Sequence, residues 1–273
     1  MKILKDHVII YDDQCPMCDL YTKAFVDTKM LGKDGRVRFT DLHAPLECNI
    51  DRDRACNEIA LINTKEGTVT YGIDSLFNVI GHRFVWLWPL FKLAPFRWLM
   101  SKLYAFVSYN RKVIAPGTTF EAANSCTPSL RVGYRWAYIL FSWLVTSLVL
   151  TYYAQTLVAY VSANSFGREF LICGGQIAFQ SSVLFLFGQP RKLHYLGHLM
   201  TVSLAGALLL VPPLGLSLLI PEVPALVYLS WFGIVVSFML VEHIRRVKHL
   251  GLLWVLSLTW VLYRLMVLTL IIW

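Results

Sequence analysis

Charge is distributed very unevenly along this chain, and that asymmetry constrains the fold more than any other feature. Residues 1–135 contain 18 of the 25 Lys and Arg residues and 14 of the 17 Asp and Glu residues. Residues 136–273 therefore contain only ten charged side chains. So few charges, in a protein with 56% hydrophobic residues, are typical of a membrane protein. The sequence predicts a polar amino-terminal domain and an apolar carboxy-terminal one, with the boundary near Arg135.

The carboxy-terminal half contains five apolar stretches. A helix needs about 20 apolar residues to cross a bilayer, and the stretches that approach this length are residues 136–161, 170–187, 195–211, 225–241 and 250–273. Between the third and fourth stretches, four prolines surround "LGLSLLI", which favours a buried loop or a short re-entrant segment. We expect an all-α polytopic membrane domain of about five transmembrane helices over residues 136–273, preceded by a linker at residues 116–135.

Basic residues on alternate connections predict the orientation of these helices. Short loops rich in Lys and Arg tend to stay in the cytoplasm, and the basic connections here are residues 131–135, 191–192 and 245–248. Near the amino terminus, the apolar run "VIIY" is far shorter than the core of a signal peptide. The sequence therefore predicts a multi-pass protein of the cell inner membrane, with the amino-terminal domain in the cytoplasm and the carboxy-terminus outside.

Residues 84–107 form an aromatic and apolar segment with basic residues at intervals of five. A helix of this composition either lies at the membrane interface or packs on the domain that precedes it. Pro89 and Pro95 interrupt any single amphipathic helix, so both interpretations stay open.

Two cysteines, Cys15 and Cys18, follow directly after the apolar run "VIIY". From Met17 onward the apolar residues repeat at helical spacing. Pro16 suits the first position of a helix, and Gly32 suits its end. Cys15 then lies at the helix N-cap, where unpaired N–H groups and the helix dipole stabilise a thiolate.

This arrangement predicts a redox dithiol with distinct roles for its two sulfurs. Cys15 is the expected attacking sulfur, and Cys18, one turn inside the helix, is the expected resolving sulfur that releases the reduced substrate. Asp12 comes directly after the strand and is the expected proton acceptor for Cys18.

The segments that follow have a thioredoxin-like order. "RVRFTDL" reads as a second strand, "EIALIN" and "TVTYG" as a hairpin, and "IDSLFNVIG" as a closing helix, so we expect an α/β domain over residues 1–115. The "YDxxCxxC" pattern formed by Tyr11, Asp12, Cys15 and Cys18 resembles the DCC thiol-disulfide oxidoreductases. "VRFTDL", "TYGIDSLFNVI" and "YAFVSYNRKVIA" extend the similarity over residues 8–115.

The resemblance implies a thioredoxin-like fold and dithiol exchange that requires no cofactor. The sequence departs from the family pattern at two points. Asp13 stands where the family usually has Gly, and its negative charge beside Cys15 opposes a thiolate. No proline precedes "EIALIN", where thioredoxins keep a cis-proline against the dithiol.

The two cysteines have two other interpretations, half of a zinc site or a purely structural pair. Zinc normally takes four Cys or His ligands, and the remaining candidates are His43, Cys48 and Cys56. Their spacings of five and eight residues match no standard zinc motif, so redox chemistry is favoured. We expect Cys48 and Cys56 to be ordinary thiols, although Cys56 could meet the dithiol across the sheet, and Cys126 and Cys173 to be isolated.

A second group of polar residues lies at the predicted cytoplasmic ends of the apolar stretches. Two imidazoles four residues apart share one helical face, as a metal, haem or quinone site requires. The candidate cofactor residues are His194, His198, Glu242 and His243, with His249 nearby. Arg264, near the middle of the last stretch, must face the interior of the bundle, because a charge at that depth is costly in lipid.

The sequence as a whole favours a membrane-anchored thiol-disulfide oxidoreductase that uses Cys15-Pro-Met-Cys18 on the cytoplasmic side. Its expected partners are the lipid bilayer, a thiol or disulfide substrate that is a protein or a small molecule, and another membrane protein. Nucleic acid is not expected, because the basic residues form no dense run. Two alternatives stay open. One is a non-catalytic assembly or transport component with a vestigial dithiol domain, and the other is a quinone- or metal-linked redox enzyme.

Overall fold

A computed structural model of the protein describes residues 3–42, 50–117, 126, 128–161, 167–220 and 223–272. The chain forms two units, Met1–Tyr134 and Arg135–Trp273. The boundary between them lies where the charge density of the sequence falls. The first unit combines a small mixed sheet with helices, and the second is helical.

The first unit is built on a four-stranded sheet. Its strands are β1 (His7–Tyr11), β2 (Arg36–Arg38), β3 (Ala60–Asn63) and β4 (Val69–Tyr71), in the spatial order β2-β1-β3-β4. β1 pairs in parallel with β2 and antiparallel with β3, which pairs antiparallel with β4. The predicted thioredoxin-like order of strands and helices is confirmed.

In the described part of this unit, five α-helices accompany the sheet. They are α1 (Pro16–Asp27), α2 (Arg52–Asn57), α3 (Ile73–Arg83), α4 (Trp88–Lys92) and α5 (Ala94–Ile114). The parallel β1-α1-β2 connection requires a crossover, which α1 provides. The segment at residues 84–107 therefore folds as a short helix followed by most of a long one, with Pro89 and Pro95 each in the first turn of its helix.

Strand β1 is apolar at successive positions because both of its faces are covered. Ile9 packs with Leu31 and Leu61 on one face, and Ile10 packs with Ala60 on the other. Successive side chains of a strand point to opposite faces, so an uninterrupted apolar run marks a strand buried on both sides. This burial fixes the end of β1, and with it the start of the dithiol loop.

The end of helix α1 differs from the sequence prediction. We expected Gly32 to end it, but the helix ends at Asp27 and Lys29 adopts a left-handed conformation with φ of 58°. The backbone N–H groups of Met30 and Leu31 both bond to the carbonyl of Phe25. These bonds satisfy the last turn of the helix, and the following chain enters the core at Leu31, whose side chain is buried.

The second unit consists of long apolar helices. They are α6 (Val132–Gln155), which begins just before the boundary, α7 (Arg168–Leu186), α8 (Lys192–Leu219), α9 (Ala225–His249) and α10 (Val255–Ile272). The first four are long and apolar enough to cross a membrane, and α10 is apolar but shorter. The predicted polytopic helical domain is confirmed for these four helices.

The predicted loop around "LGLSLLI" is wrong, because α8 continues through Pro212 and Pro213 to Leu219. Pro213 has no N–H to donate to the carbonyl of Leu209 one turn earlier. The indole Nε1 of Trp231 on α9 donates to that carbonyl instead, at 2.9 Å. A neighbouring helix thus satisfies the backbone group that proline leaves free, which is how membrane helices tolerate proline.

Candidate functional site

The end of β1 and the start of α1 place the two cysteines. Cys15 is the N-cap of α1 and Pro16 is the first helical residue, as the sequence predicts. The Cys15 N–H donates to the carbonyl of Asp12 at 3.1 Å, and the Cys15 carbonyl accepts from the Asp19 N–H at 3.0 Å. The loop is therefore fixed at both sides of Cys15, and Cys18 follows one turn later on the same helix.

The two thiols differ in acidity because they share one hydrogen bond. The Cys18 side chain donates to Cys15, and this bond lowers the pKa of Cys15 from 9.0 to about 6. The Cys18 backbone N–H and the charge of Arg111 also lower this pKa, whereas burial raises it. The same side-chain bond, followed by burial, raises the pKa of Cys18 well above its ordinary value. At neutral pH Cys15 is therefore a thiolate and Cys18 a thiol.

We expect Cys18→Ala to raise the pKa of Cys15 from about 6 toward the ordinary value for a thiol, because the strongest stabilising hydrogen bond is lost. Cys18→Ser keeps an O–H donor and should raise that pKa less. The pH dependence of Cys15 alkylation, followed by mass spectrometry of the full-length protein, measures both shifts. An unchanged midpoint in Cys18→Ala would show that Cys18 does not stabilise the thiolate.

Both cysteines are buried, and the chain beyond α5 packs against the backbone of the residue before Cys15. Cys15 is 0% exposed and Cys18 is 6% exposed. Gly117 lies so close to Gln14 that a Cβ at position 117 would collide with the carbonyl oxygen of Gln14. Only glycine allows the backbone to approach the dithiol loop this closely.

Arg111 on α5 is the cation of the site. Its guanidinium, 5% exposed, lies 3.1 Å from the carboxylate of Asp12, and Lys112 binds the same carboxylate oxygen at 3.0 Å. The other oxygen of Asp12 accepts from the Gln14 N–H at 3.0 Å. Asp12 is therefore held by two cations and one backbone donor, and its negative charge raises the pKa of both Cys15 and Cys18.

The backbone at the end of α2 holds Arg111 from the other side. The guanidinium donates to the carbonyl of Cys56 at 2.8 Å and to that of Asn57 at 3.4 Å. Ser129 donates to the Asn57 side chain through its N–H at 2.8 Å and through its hydroxyl at 3.0 Å. The residues that position Arg111 are thus themselves attached to the segment that precedes α6.

Cys56 and Cys126 form a disulfide. The expectation that Cys56 is an ordinary thiol and Cys126 is isolated is wrong, because the chain after α5 returns to α2 and brings the two sulfurs together. Cys15, Cys18 and Cys173 are free thiols. Cys48 and His43, the other candidate zinc ligands, lie outside the described residues, and a disulfide-bonded Cys56 has no thiolate to offer a metal.

A cavity of about 320 Å³ lies beside the dithiol. Its polar lining residues include Cys18, Asp12, Arg111 and Ser108, and most of the remaining wall is apolar. Tyr104, also in the wall, accepts a hydrogen bond from the Ile59 N–H at 2.8 Å. Burial raises the pKa of Tyr104 to about 12, so its hydroxyl stays protonated at neutral pH.

Comparison with known proteins agrees with this geometry. Residues 9–115 match the family described as DCC1-like thiol-disulfide oxidoreductase. These residues, which we call the DCC1-like domain, are similar to that family. The resemblance predicted from the sequence is confirmed, and the DCC1-like domain contains the dithiol, Asp12 and Arg111. Searches of curated proteins and of solved structures give no significant match.

Sequence reasoning missed two features of the DCC1-like domain. The role of Arg111 escaped it, although "YNRKVIA" belongs to the segment that resembles the family. The available signal was the position of Arg111 and Lys112 within that segment. The pairing of Cys56 with Cys126 left no signal, because 70 residues separate the two cysteines and connectivity cannot be deduced from spacing alone.

The structure divides the predicted cofactor residues of the helical unit into two groups. Arg246 lies between Glu242, at 2.7 Å, and His198, at 2.9 Å. His243 instead contacts the hydroxyl of Tyr195 at 3.1 Å. His194 lies one turn before His198 on α8.

Within the described residues, no group of three or more His, Cys, Asp and Glu side chains could hold a metal ion. An arginine between Glu242 and His198 places a positive charge where a cation would have to bind. A quinone or metal at His194, His198, Glu242 and His243 stays a prediction.

Arg264 packs on an aromatic ring. Its guanidinium carbon lies 4.1 Å from the centre of the Trp260 ring, a cation–π contact that offsets part of the cost of a charge in an apolar surrounding. The neighbouring Tyr263 donates to the carbonyl of Ile172 at 2.8 Å, and Glu169 pairs with Arg168 at 2.8 Å.

Proposed function

We propose that the protein is a membrane-anchored thiol-disulfide oxidoreductase in which Cys15 attacks and Cys18 resolves. The observation that carries this proposal is the asymmetric pair of thiols, with a pKa of about 6 at Cys15 and a raised pKa at Cys18. A nucleophile must be a thiolate at working pH, and a resolving thiol must stay protonated until the mixed disulfide forms. The family of the DCC1-like domain supports the same chemistry.

The proposed reaction has two exchange steps. The Cys15 thiolate attacks one sulfur of a substrate disulfide, which forms a Cys15–substrate disulfide and releases the other sulfur as a thiolate. Cys18 then attacks the Cys15 sulfur, which forms the Cys15–Cys18 disulfide and releases the second substrate sulfur. Two electrons pass from the dithiol to the substrate, and the thiolates that leave take up protons.

The loss of one hydrogen bond activates Cys18 for the second step. Once Cys15 is in a mixed disulfide, it is no longer the anionic acceptor that raises the pKa of Cys18. Arg111 still lowers the pKa of Cys18 by its positive charge. The proton passes to the leaving thiolate or to Asp12, which lines the same cavity as Cys18.

Cys18→Ser should accumulate mixed disulfides with the natural substrate, because the step that releases Cys15 is lost. The measurement is capture of the variant from its own membranes under non-reducing conditions, followed by elution with a reductant and mass spectrometry. Cys15→Ser is the matched control and should capture nothing. Equal capture by both variants would contradict the assigned roles. Intact biological function of Cys15→Ser/Cys18→Ser would favour the non-catalytic scaffold.

We further propose that the DCC1-like domain lies on the cytoplasmic side of the cell inner membrane, because the connections between the apolar helices are alternately basic. The Cys56–Cys126 disulfide is the opposing consideration, because cytoplasmic disulfides are rare unless they are redox-active. Labelling of intact cells with a membrane-impermeant thiol reagent decides between the sides. The reporter is a cysteine introduced in place of the exposed Lys65. Labelling of this cysteine only after the membrane is opened supports the cytoplasmic side, and immediate labelling contradicts it.

A further inference from the structure

The cavity beside the dithiol is reached from the side of Cys18. Cys18 is part of its wall, whereas Cys15 is not among the lining residues and is 0% exposed. The floor contains the apolar side chains of Ile59 and Leu76, and the wall from α5 contains Leu103. A substrate group held in this cavity would therefore lie against Cys18, and the substrate sulfur would reach the buried Cys15 from this side.

The cavity continues into an apolar strip on the surface of α5. Leu103 and Val107 line the cavity and are also 49% and 39% exposed. Leu99, one turn before Leu103 on the same face, is also exposed. Large apolar side chains that connect a cavity with the surface are typical of a site for an apolar ligand.

The polar end of the cavity limits the charge of that ligand. Arg111 lines the cavity, and its side chain is buried. The guanidinium charge repels a cationic group. The site therefore fits an apolar group and disfavours an amine.

We propose that this cavity binds a compact apolar group, aromatic or branched aliphatic, that is attached to the reacting sulfur of the substrate disulfide. A cavity of about 150 Å³ already holds benzene in another protein, so about 320 Å³ accommodates a benzyl group or a leucine side chain. The inference rests on the proposed disulfide exchange and adds the substrate class. The group can come from an apolar residue beside a cystine in a polypeptide or from a small lipophilic disulfide.

The reaction for such a substrate, R–S–S–R′, is balanced. The Cys15 thiolate bonds to the sulfur that carries the apolar R, and R′–S⁻ leaves with the electron pair of the broken S–S bond. Cys18 then bonds to the Cys15 sulfur and gives up its proton, and R–S⁻ leaves the cavity as R–SH. The dithiol is oxidised to a disulfide, and the substrate disulfide is reduced to two thiols.

The test uses the reduced full-length protein in detergent and three disulfides with the same chromophoric leaving thiol, nitrothiobenzoate. R is benzyl, 2-hydroxyethyl or 2-aminoethyl, and each rate is divided by the rate with free glutathione to remove intrinsic reactivity. We expect the benzyl compound to react about tenfold faster than the hydroxyethyl one, which corresponds to about 1.4 kcal/mol of apolar burial, and the aminoethyl compound to react slowest.

Leu103→Trp and Val107→Trp should reduce the benzyl preference to less than about twofold by filling the mouth of the cavity. Leu20→Trp is the matched control, because Leu20 is 71% exposed on α1, and it should keep the full preference. Two disulfide-bonded peptides, one with Leu and one with Ser beside the cysteine, test whether the apolar group comes from a polypeptide. A polypeptide source predicts that the Leu peptide reacts faster than the small benzyl compound, and the Ser peptide is the control without an apolar side chain.

Equal normalised rates for the three R groups, or a benzyl preference that survives both Trp variants, would overturn the inference while leaving disulfide exchange intact. Absence of Cys15-dependent release of the chromophore from every compound would overturn the proposed function itself, and with it the inference.

Discussion

Replacing Arg111 by Met should destabilise the protein by about 3 kcal/mol and raise the pKa of Cys15. Removing one partner of a buried ion pair typically costs 3–5 kcal/mol, because the other charge stays buried. Here Asp12 would keep Lys112, which is why we expect the lower end of that range. The Cys56 and Asn57 carbonyls would also lose their donor. The pKa of Cys15 rises because the positive charge of Arg111 helps to lower it.

Denaturant unfolding of the full-length protein in detergent and the pH dependence of Cys15 alkylation measure these two effects. Arg36→Met is the matched control, because Arg36 pairs with Asp19 at the surface, where that carboxylate is half-exposed. Such pairs contribute about 0–1 kcal/mol. If Arg111→Met behaved like Arg36→Met in both measurements, Arg111 would be excluded as the cation that organises the site.

Cys126→Ser should lower the free energy of unfolding by up to about 4 kcal/mol. The Cys56–Cys126 bond closes a loop with a sequence separation of 70 residues, and the loss of chain entropy in the unfolded state grows with the logarithm of loop length. Unfolding of the oxidised full-length protein, compared with the variant by the same method, measures the difference. Peptide mapping without reductant shows whether Cys56 and Cys126 are linked.

Cys173→Ser provides the control for this measurement, since Cys173 is a free cysteine in the helical unit. It should change the free energy of unfolding much less than Cys126→Ser. Unchanged stability of Cys126→Ser, together with rapid alkylation of Cys56 in the native wild-type protein, would show that the two thiols are unpaired in solution.

The parts of the site that the sequence predicts are local. A buried strand, a proline at the first helical position and two cysteines one turn apart determine the geometry of the dithiol within about ten residues, because capping depends on immediate neighbours. The remaining parts depend on long-range packing. Arg111 is 99 residues from Asp12 in sequence, and no periodicity indicates which buried carboxylate a distant arginine will reach.

The helical unit shows the same division between local and long-range information. Hydropathy predicts the apolar helices, because composition alone decides whether a segment tolerates lipid. The continuation of α8 through Pro212 and Pro213 was not predictable from the segment itself. It depends on Trp231 of another helix, whose indole N–H donates to the Leu209 carbonyl that proline leaves without a backbone partner.

The reduction potential of Cys15 and Cys18 in the full-length protein shows whether this pair is a redox-active dithiol. Equilibration with glutathione buffers, followed by acid quenching, thiol trapping and mass spectrometry, gives the fraction of the Cys15–Cys18 disulfide at each potential. A reversible two-electron couple between about −300 and −120 mV, where known exchange proteins lie, is the predicted result. Failure of Cys15 and Cys18 to form a disulfide at any potential would contradict the account.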